Sequence, residues 1–288
     1  MIKNWYVTGD THGGMATITR VSNIQRNTPE RYKPEETGII ILGDVGLNFY
    51  LNDTDKQYKK ILNSMGFYIY CVRGNHEQRP ELIPSMIMVE DIEVDNTVYM
   101  EEDFPHIRYL VDGNEYRFGD YTALVIGGAY SIDKEWRLLR AGYSLEDASI
   151  ANPKVCGWFK NEQLSYHERK YISEAVCGKH YDFVFTHTTA ISWEPTDLFL
   201  SGIDQTKVDK TMEIWLDHLK DTFSWGVWCF GHYHADRVER PCVEQFYYEC
   251  EELDQIWARW DDYKNKNTLD WWIPKSPVME DIVNGKTT

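Results

Sequence analysis

The sequence predicts an α/β fold, and three observations carry that reading. Apolar runs rich in Val, Ile, Phe and Tyr recur along the 288 residues, each about four to seven residues long, the length of a buried strand. Between them lie stretches in which apolar residues return every three or four positions, the spacing of a helix with one buried face. Most apolar runs end on Gly, Asp, Asn or His, the punctuation of strand ends that open into loops. Strands alternating with helical connections imply α/β.

In chain order, "NWYVTGDTH" supplies the first strand and "TGIIILGDVG" the second. A helix is predicted over Thr54–Met65, then a third strand in "FYIYCVRGNHE". Residues 82–121 are more irregular and acidic, with Gly113-Asn114 turning a hairpin around "IRYLVDGNEYRF". "YTALVIGGAY" and "YDFVFTHTT" follow as strands, separated by a helix over Glu162–Cys177. A helix over Lys207–Thr222 precedes the strand "WGVWCFGHYH", and "EQFYYECEEL" (244–253) adds one more strand. After Leu253 the character changes: the tail carries Trp257, Trp260, Trp271 and Trp272 among many charges. We therefore expect a domain over 1–253 and a tryptophan-rich extension over 254–288, a helix plus an extended strap packed on that domain. A cleft wall or a homodimer contact is the alternative use of those rings.

Composition narrows the function. Thirty Lys and Arg against 46 Asp and Glu leave a net charge of −16. Nucleic-acid affinity rests on cations that neutralise phosphates, so duplex nucleic acid is not the expected partner. The six cysteines form no C-x-x-C pair, and Cys71 and Cys229 sit inside apolar runs, as small hydrophobes. No basic leader with an apolar stretch opens the chain, and no apolar run approaches a membrane span. A reduced cytoplasmic compartment is the expectation.

The strand ends hold the chemistry. They give Asp10-x-His12, Gly43-Asp44, Gly74-Asn75-His76-Glu77, His187 and Gly231-His232-x-His234, placing five of the nine histidines just after apolar runs. Each residue has a plain structural use in isolation: Asp10 a turn cap, Asn75 a left-handed turn, His187 a hydrogen-bonded core histidine. Together they are residue types that a pair of divalent cations could use. Such a pair needs mixed imidazole and oxygen ligands, and a bridging carboxylate to offset the repulsion of cations about 3.5–4 Å apart. Glycines before Asp44, Asn75 and His232 are expected to turn the backbone sharply at the strand exit.

This ordered set, D-x-H, G-D, G-N-H-[DE], a lone H, then G-H-x-H, resembles the calcineurin-like metallophosphoesterase superfamily over about residues 5–250. The resemblance implies a four-layer αββα sandwich of two mixed sheets flanked by helices. It implies that Asp10, His12, Asp44 and His234 bind one metal, and that Asp44, Asn75, His187 and His232 bind the other, with Asp44 bridging. His76 would protonate the leaving group or hold a phosphoryl oxygen, and a metal-bound hydroxide would attack in line. Mixed nitrogen and oxygen ligation suits manganese first, with iron and zinc as alternatives.

The sequence also departs from relatives. The phosphoprotein-phosphatase branch continues its second motif as G-D-x-x-D-R, where this chain reads "GDVGLNFY", so Leu47 and Asn48 replace the Asp-Arg pair. The block "GGAYSIDKEWR" is similar to one in stand-alone phosphoesterases of bacteria and their prophages. Arg137 within it is the expected phosphate grip, because guanidinium matches paired phosphate oxygens. A salt bridge to Glu135 or Asp133 is its other reading. Arg73 either approaches the site or ties down the loop around Glu77, and Asn48 is expected to orient His76. Tyr130 and Tyr233 offer rings to a base or aromatic leaving group. The expected substrate is a phosphorylated small molecule, nucleotide or phosphopeptide. The expected activity is a phosphatase, with a nucleotide phosphodiesterase or a non-catalytic docking scaffold as alternatives.

Overall fold

Every residue of TGIIIL (β2, Thr37–Leu42) is buried, and side-chain alternation decides what each one meets. Ile39 and Ile41 pack in an outer cluster with Val21, Ile24 and Leu62, whereas Ile40 and Leu42 face a second sheet across an inner core. A strand covered on both faces has no polar side, which is why the run reads as continuous apolar sequence.

The computed structural model describes residues 1–30 and 32–266. The first half comprises β1 (Asn4–Thr8), α1 (Gly14–Asn27), β2, α2 (Asp53–Ser64), β3 (Tyr68–Val72), β4 (Met86–Asp91), β5 (Asn96–Glu101), β6 (Ile107–Leu110), β7 (Glu115–Phe118) and β8 (Tyr121–Ile126). There follow α3 (Lys134–Arg140), α4 (Pro153–Cys156), α5 (Tyr166–Val176), β9 (His180–Thr186), α6 (Thr211–Leu219), β10 (Ser224–Phe230), β11 (Arg237–Arg240), β12 (Val243–Gln245), β13 (Cys250–Glu252) and α7 (Leu253–Lys266).

One sheet has seven strands in the order β13-β1-β2-β3-β6-β5-β4, and the other six in the order β11-β12-β10-β9-β8-β7. Their centres are parallel: β1, β2, β3 and β6 in the first, β12, β10, β9 and β8 in the second. Val7, Ile40, Tyr70 and Val72 meet Val125, Phe183, Phe185 and Cys229 in the layer between the sheets. Outside the second sheet, Leu124, Val184 and Trp228 pack on Ile172 of α5 and on Met212 and Leu216 of α6. The result is the expected four-layer mixed α/β sandwich. Among the described residues no helix is long and apolar enough to cross a membrane.

Several elements differ from expectation. The chain around Gly113-Asn114 is not a hairpin, because β6 pairs in the seven-stranded sheet and β7 in the six-stranded one. It is a corner between layers: the Gly113 amide, at φ +83°, donates to the Val125 carbonyl at 2.7 Å. The antiparallel pair β4–β5 was not read from the sequence, since several β4 side chains are exposed at the sheet edge and its apolar pattern is weak. The segment 244–253 contributes to two strands, β12 and β13, in different sheets. The helix expected from Glu162 begins at Tyr166, where Ser165 and Glu168 form a capping box. In the tail, α7 sets Trp260 fully inside the inter-sheet core, a burial worth about 3 kcal/mol. Arg259 holds that helix against the buried Glu244 at 2.7 Å. Trp271 and Trp272 lie outside the described residues.

Candidate metal centre

The exits of β1, β2, β3, β9 and β10 open at one end of the sandwich, and the polar residues that follow each strand converge there. Asp10, Asp44, Asn75 and His187 are at most 2% exposed, while His12 and His234 lie at the open rim. Four of these loop residues hold left-handed backbone: His12 (φ 47°), Asp44 (φ 46°), His232 (φ 69°) and His234 (φ 55°). Such conformations cost about 1–3 kcal/mol each and persist only where surrounding contacts fix them.

The glycines have a more specific task than a sharp turn. Gly43 does turn with positive φ (97°), but Gly74 and Gly231 do not appear in that region. They are needed for space. A Cβ on Gly74 would lie 2.0 Å from Asp44 Oδ1, and one on Gly231 would lie 2.3 Å from Asp10 Oδ1. Gly74→Ala is therefore expected to displace Asp44 and destabilise the fold by about 1–3 kcal/mol. Thermal melting and metal titration of the variant check this, and unaltered values in both would refute it.

Three overlapping donor groups have ligand atoms within 4.8 Å of one another: Asp10, His12 and His234; His12, Asp44 and His76; Asp10, Asp44 and His187. The Nε2 atoms of His12 and His234 stand 3.0 Å apart, and His234 Nε2 is 3.3 Å from the buried Asp10 Oδ2. Deeper in, His187 Nδ1 donates to the Leu42 carbonyl at 2.7 Å. His187 Nε2 lies 2.8 Å from Asn75 Oδ1, while Asn75 Nδ2 donates to Ser131 Oγ at 2.9 Å. The Nδ1 contact orients the ring so that Nε2 and the amide oxygen point at one place, where a cation could take both. The His232 ring packs 4.9 Å from that of His187, and the His232 amide donates to Asp10 Oδ1 at 3.0 Å. The donor set, imidazole nitrogens with carboxylate and amide oxygens, suits divalent transition metals.

Electrostatics keep the groups ready to ligate. Burial would raise both aspartates, but the surrounding imidazoles outweigh it: His187 and His234 at Asp10, and His76, His187 and His12 at Asp44, hold both below the usual carboxylate range. Burial, with His187 adding, pushes His232 down to about 3, so its ring is neutral and can donate a lone pair.

His76 stands at the edge of this cluster. Its amide donates to Asp44 Oδ1 at 2.8 Å and its Nδ1 lies 3.6 Å from Asp44 Oδ2. On its other side, Arg137 Nη2 is 3.4 Å from His76 Nε2, and Asp133 Oδ1 is 3.9 Å away. Arg137 makes the expected salt bridge, its Nε donating to Asp133 Oδ2 at 2.7 Å. Asp133 thus reaches His76 from the loop after β8, a placement its position in the sequence does not signal.

Two expected residues are not brought to the site. Asn48 does not meet His76; its Oδ1 accepts from Lys59 Nζ at 2.6 Å, beneath the surface. Arg73 spends its guanidinium on Asp112 Oδ2 (2.9 Å) and on the carbonyls of Glu162 (2.6 Å) and Gly127 (3.2 Å). It ties three loops together. Supporting contacts escaped the sequence reading too. The Ser131 hydroxyl donates to the buried Glu162 at 2.5 Å and so fixes Asn75 from behind.

A second buried carboxyl lies near the cluster. Glu213 of α6 accepts the Thr188 hydroxyl at 2.7 Å, its other oxygen has no hydrogen bond among the described residues, and burial pushes it from 4.5 up to about 7. A carboxyl with a raised folded-state pKa contributes stability below its unfolded value, and that contribution is lost as pH climbs from about 4.5 to about 7. Glu213→Gln is expected to abolish this loss, on the order of 2–3 kcal/mol. Urea denaturation at pH 5 and pH 8 reads it as a smaller pH difference in the variant than in the wild type.

The fold and cluster together define a class: a two-sheet α/β sandwich that gathers imidazoles and carboxylates at its strand ends for metal-assisted chemistry. A family model described as calcineurin-like phosphoesterase matches residues 5–236, and the chain belongs to that family. It is accordingly a phosphoester hydrolase in general class, with Asp and His groups that could hold metal ions. A comparison with curated proteins finds no match.

Proposed function

We propose that the chain is a binuclear metal-dependent phosphatase. Asp10, His12, Asp44 and His234 hold one cation, and Asp44, Asn75, His187 and His232 the other. The observation that carries the reading is the convergence of these residues from five separate strand ends, with His76 beside Asp44 and outside the deepest donors. When bound, such cations, manganese in our reading, would supply Lewis acidity toward phosphoryl oxygens and lower the pKa of water.

The chain's own residues do the rest. Arg137 Nη2, beside His76, offers donors to the phosphoryl oxygens while Asp133 holds the guanidinium in place. Burial keeps the His76 pKa below its ordinary value, with Asp44 and Asp133 opposing and Arg137 assisting. In the net reaction water's oxygen bonds to phosphorus, the bond from phosphorus to the alcohol oxygen breaks, and a proton passes through His76 to the alcohol. Residues 1–253 carry this chemistry in our reading, with 254–288 as an extension of the domain.

A phosphodiesterase is the second reading, favoured by cavities on both sides of His76. One of 330 Å³ is lined by Tyr130 and Tyr233, and one of 190 Å³ by Phe49 and Arg137. Turnover of p-nitrophenyl phosphate and bis-p-nitrophenyl phosphate with Mn²⁺ separates the two. Faster hydrolysis of the monoester supports the phosphatase, and preference for the diester replaces it. Activity on neither would leave a docking scaffold.

A further inference from the structure

The larger cavity opens directly onto Asp44, Asn75, His76, His232 and His234, so whatever fills it lies next to the phosphoryl position. Its walls are made mainly by Tyr130, Ile132, Leu198, Phe199, Val208 and Tyr233. Of the polar groups that also line it, Lys210 and Tyr233 are already paired, whereas Asp133 and Glu213 each keep one oxygen without a hydrogen bond among the described residues. Lys210 Nζ is 2.7 Å from Glu194 Oε1 and 4.6 Å from the centre of the Phe199 ring. The Tyr233 hydroxyl lies 3.1 Å from Glu194 Oε1 and 3.2 Å from Thr188 Oγ1. Gln205 adds one amide to the wall. An anionic ester group would lose its hydration here beside the Asp133 and Glu213 carboxyls and gain no cation beyond the already paired Lys210. A flat ring would find faces to pack on, with Phe199 and Tyr233 inclined only 22° to each other.

We propose that this cavity takes the ester group of the substrate, and that the group it fits is aromatic and uncharged. The assignment rests on the phosphoester hydrolase reading for the position of the phosphoryl group. His76 lines both this cavity and the smaller one that holds Arg137. The phosphoryl group therefore sits between a guanidinium on one side and a ring-lined recess on the other, with the imidazole at the ester oxygen. Two sources supply such a ring: the base of a nucleotide, or an aryl phosphate.

Calorimetric binding of benzylphosphonate, ethylphosphonate and hexylphosphonate to the Mn²⁺-loaded full chain tests the cavity without turnover. Burying one ring predicts that the benzyl compound binds about 10- to 50-fold tighter than the ethyl compound, and tighter than the hexyl compound. Phe199→Ala and Val208→Asp, both at only partly buried positions, should bring the benzyl-to-ethyl ratio toward one; melting curves show that each variant is folded. Equal binding of benzyl and ethyl compounds, equal binding of benzyl and hexyl compounds, or a ratio untouched in both variants overturns the proposal. Turnover is read separately with benzyl and ethyl phosphate, whose alcohols differ little in acidity. The expected benzyl preference in binding with no ester hydrolysed would refute the hydrolase reading and leave the cavity assignment standing. Hydrolysis of both esters with equal kcat/KM would do the reverse. Preference for adenosine monophosphate over ribose 5-phosphate identifies the nucleotide source, and preference for phosphotyrosine over phosphoserine the aryl one.

Discussion

Asp44→Ala is expected to remove bound metal and turnover together, lowering kcat/KM on the order of 10⁴-fold. Asp44 shares donor groups with His12 and His76 and with Asp10 and His187, the place a bridging carboxylate would take in the proposed centre. It is 2% exposed, and its Oδ1 also accepts the His76 amide at 2.8 Å. Deleting the carboxylate leaves the imidazoles of His12, His76 and His187 facing one another without the anion that holds them. Two cations in that space would then repel with nothing shared between them. Metal content after dialysis against Mn²⁺, measured beside hydrolysis of p-nitrophenyl phosphate, gives the result. A variant that keeps two equivalents of metal and wild-type activity would refute the bridging role.

His76→Ala should separate the two losses. Removing a group that moves a proton in the rate-limiting step costs about 10²–10⁴-fold in kcat, whereas metal stoichiometry should stay as in the wild type. The geometry makes this a sharp test, because His76 Nδ1 stands 3.6 Å from Asp44 Oδ2 and belongs to one of the donor groups. If the imidazole is a ligand, metal is lost along with rate. If it serves the leaving group, the deficit shrinks for esters of acidic alcohols, which depart without a proton. Full activity in the variant would remove His76 from the mechanism altogether.

The agreement between sequence and structure follows from the physics of a parallel sheet. A strand buried on both faces must be apolar throughout, so β1, β2, β3, β9 and β10 stand out as runs such as "TGIIIL" and "YDFVFT". Loops at their carboxyl ends are where polar chemistry concentrates, and the Asp, Asn and His of those loops converge as their order along the chain suggested. Edge and corner elements carry no such signal. The strands β4, β5 and β11 are short or partly exposed, and the sheet change at Gly113 depends on which layer each flank joins.

What the sequence determined by itself is the α/β class, the strand ends that meet, and the residue types offered there for metal, because each is written in contiguous periodicity or a short motif. What only the tertiary structure decided is which distant side chain stands beside which. Arg73 is turned into a tie between loops, Asn48 is taken by Lys59, and Asp133 and Arg137 are brought against His76 from 57 and 61 residues away in sequence. Contacts across such separations are set by how two sheets and their covering helices pack. A local pattern of residues carries no record of that packing.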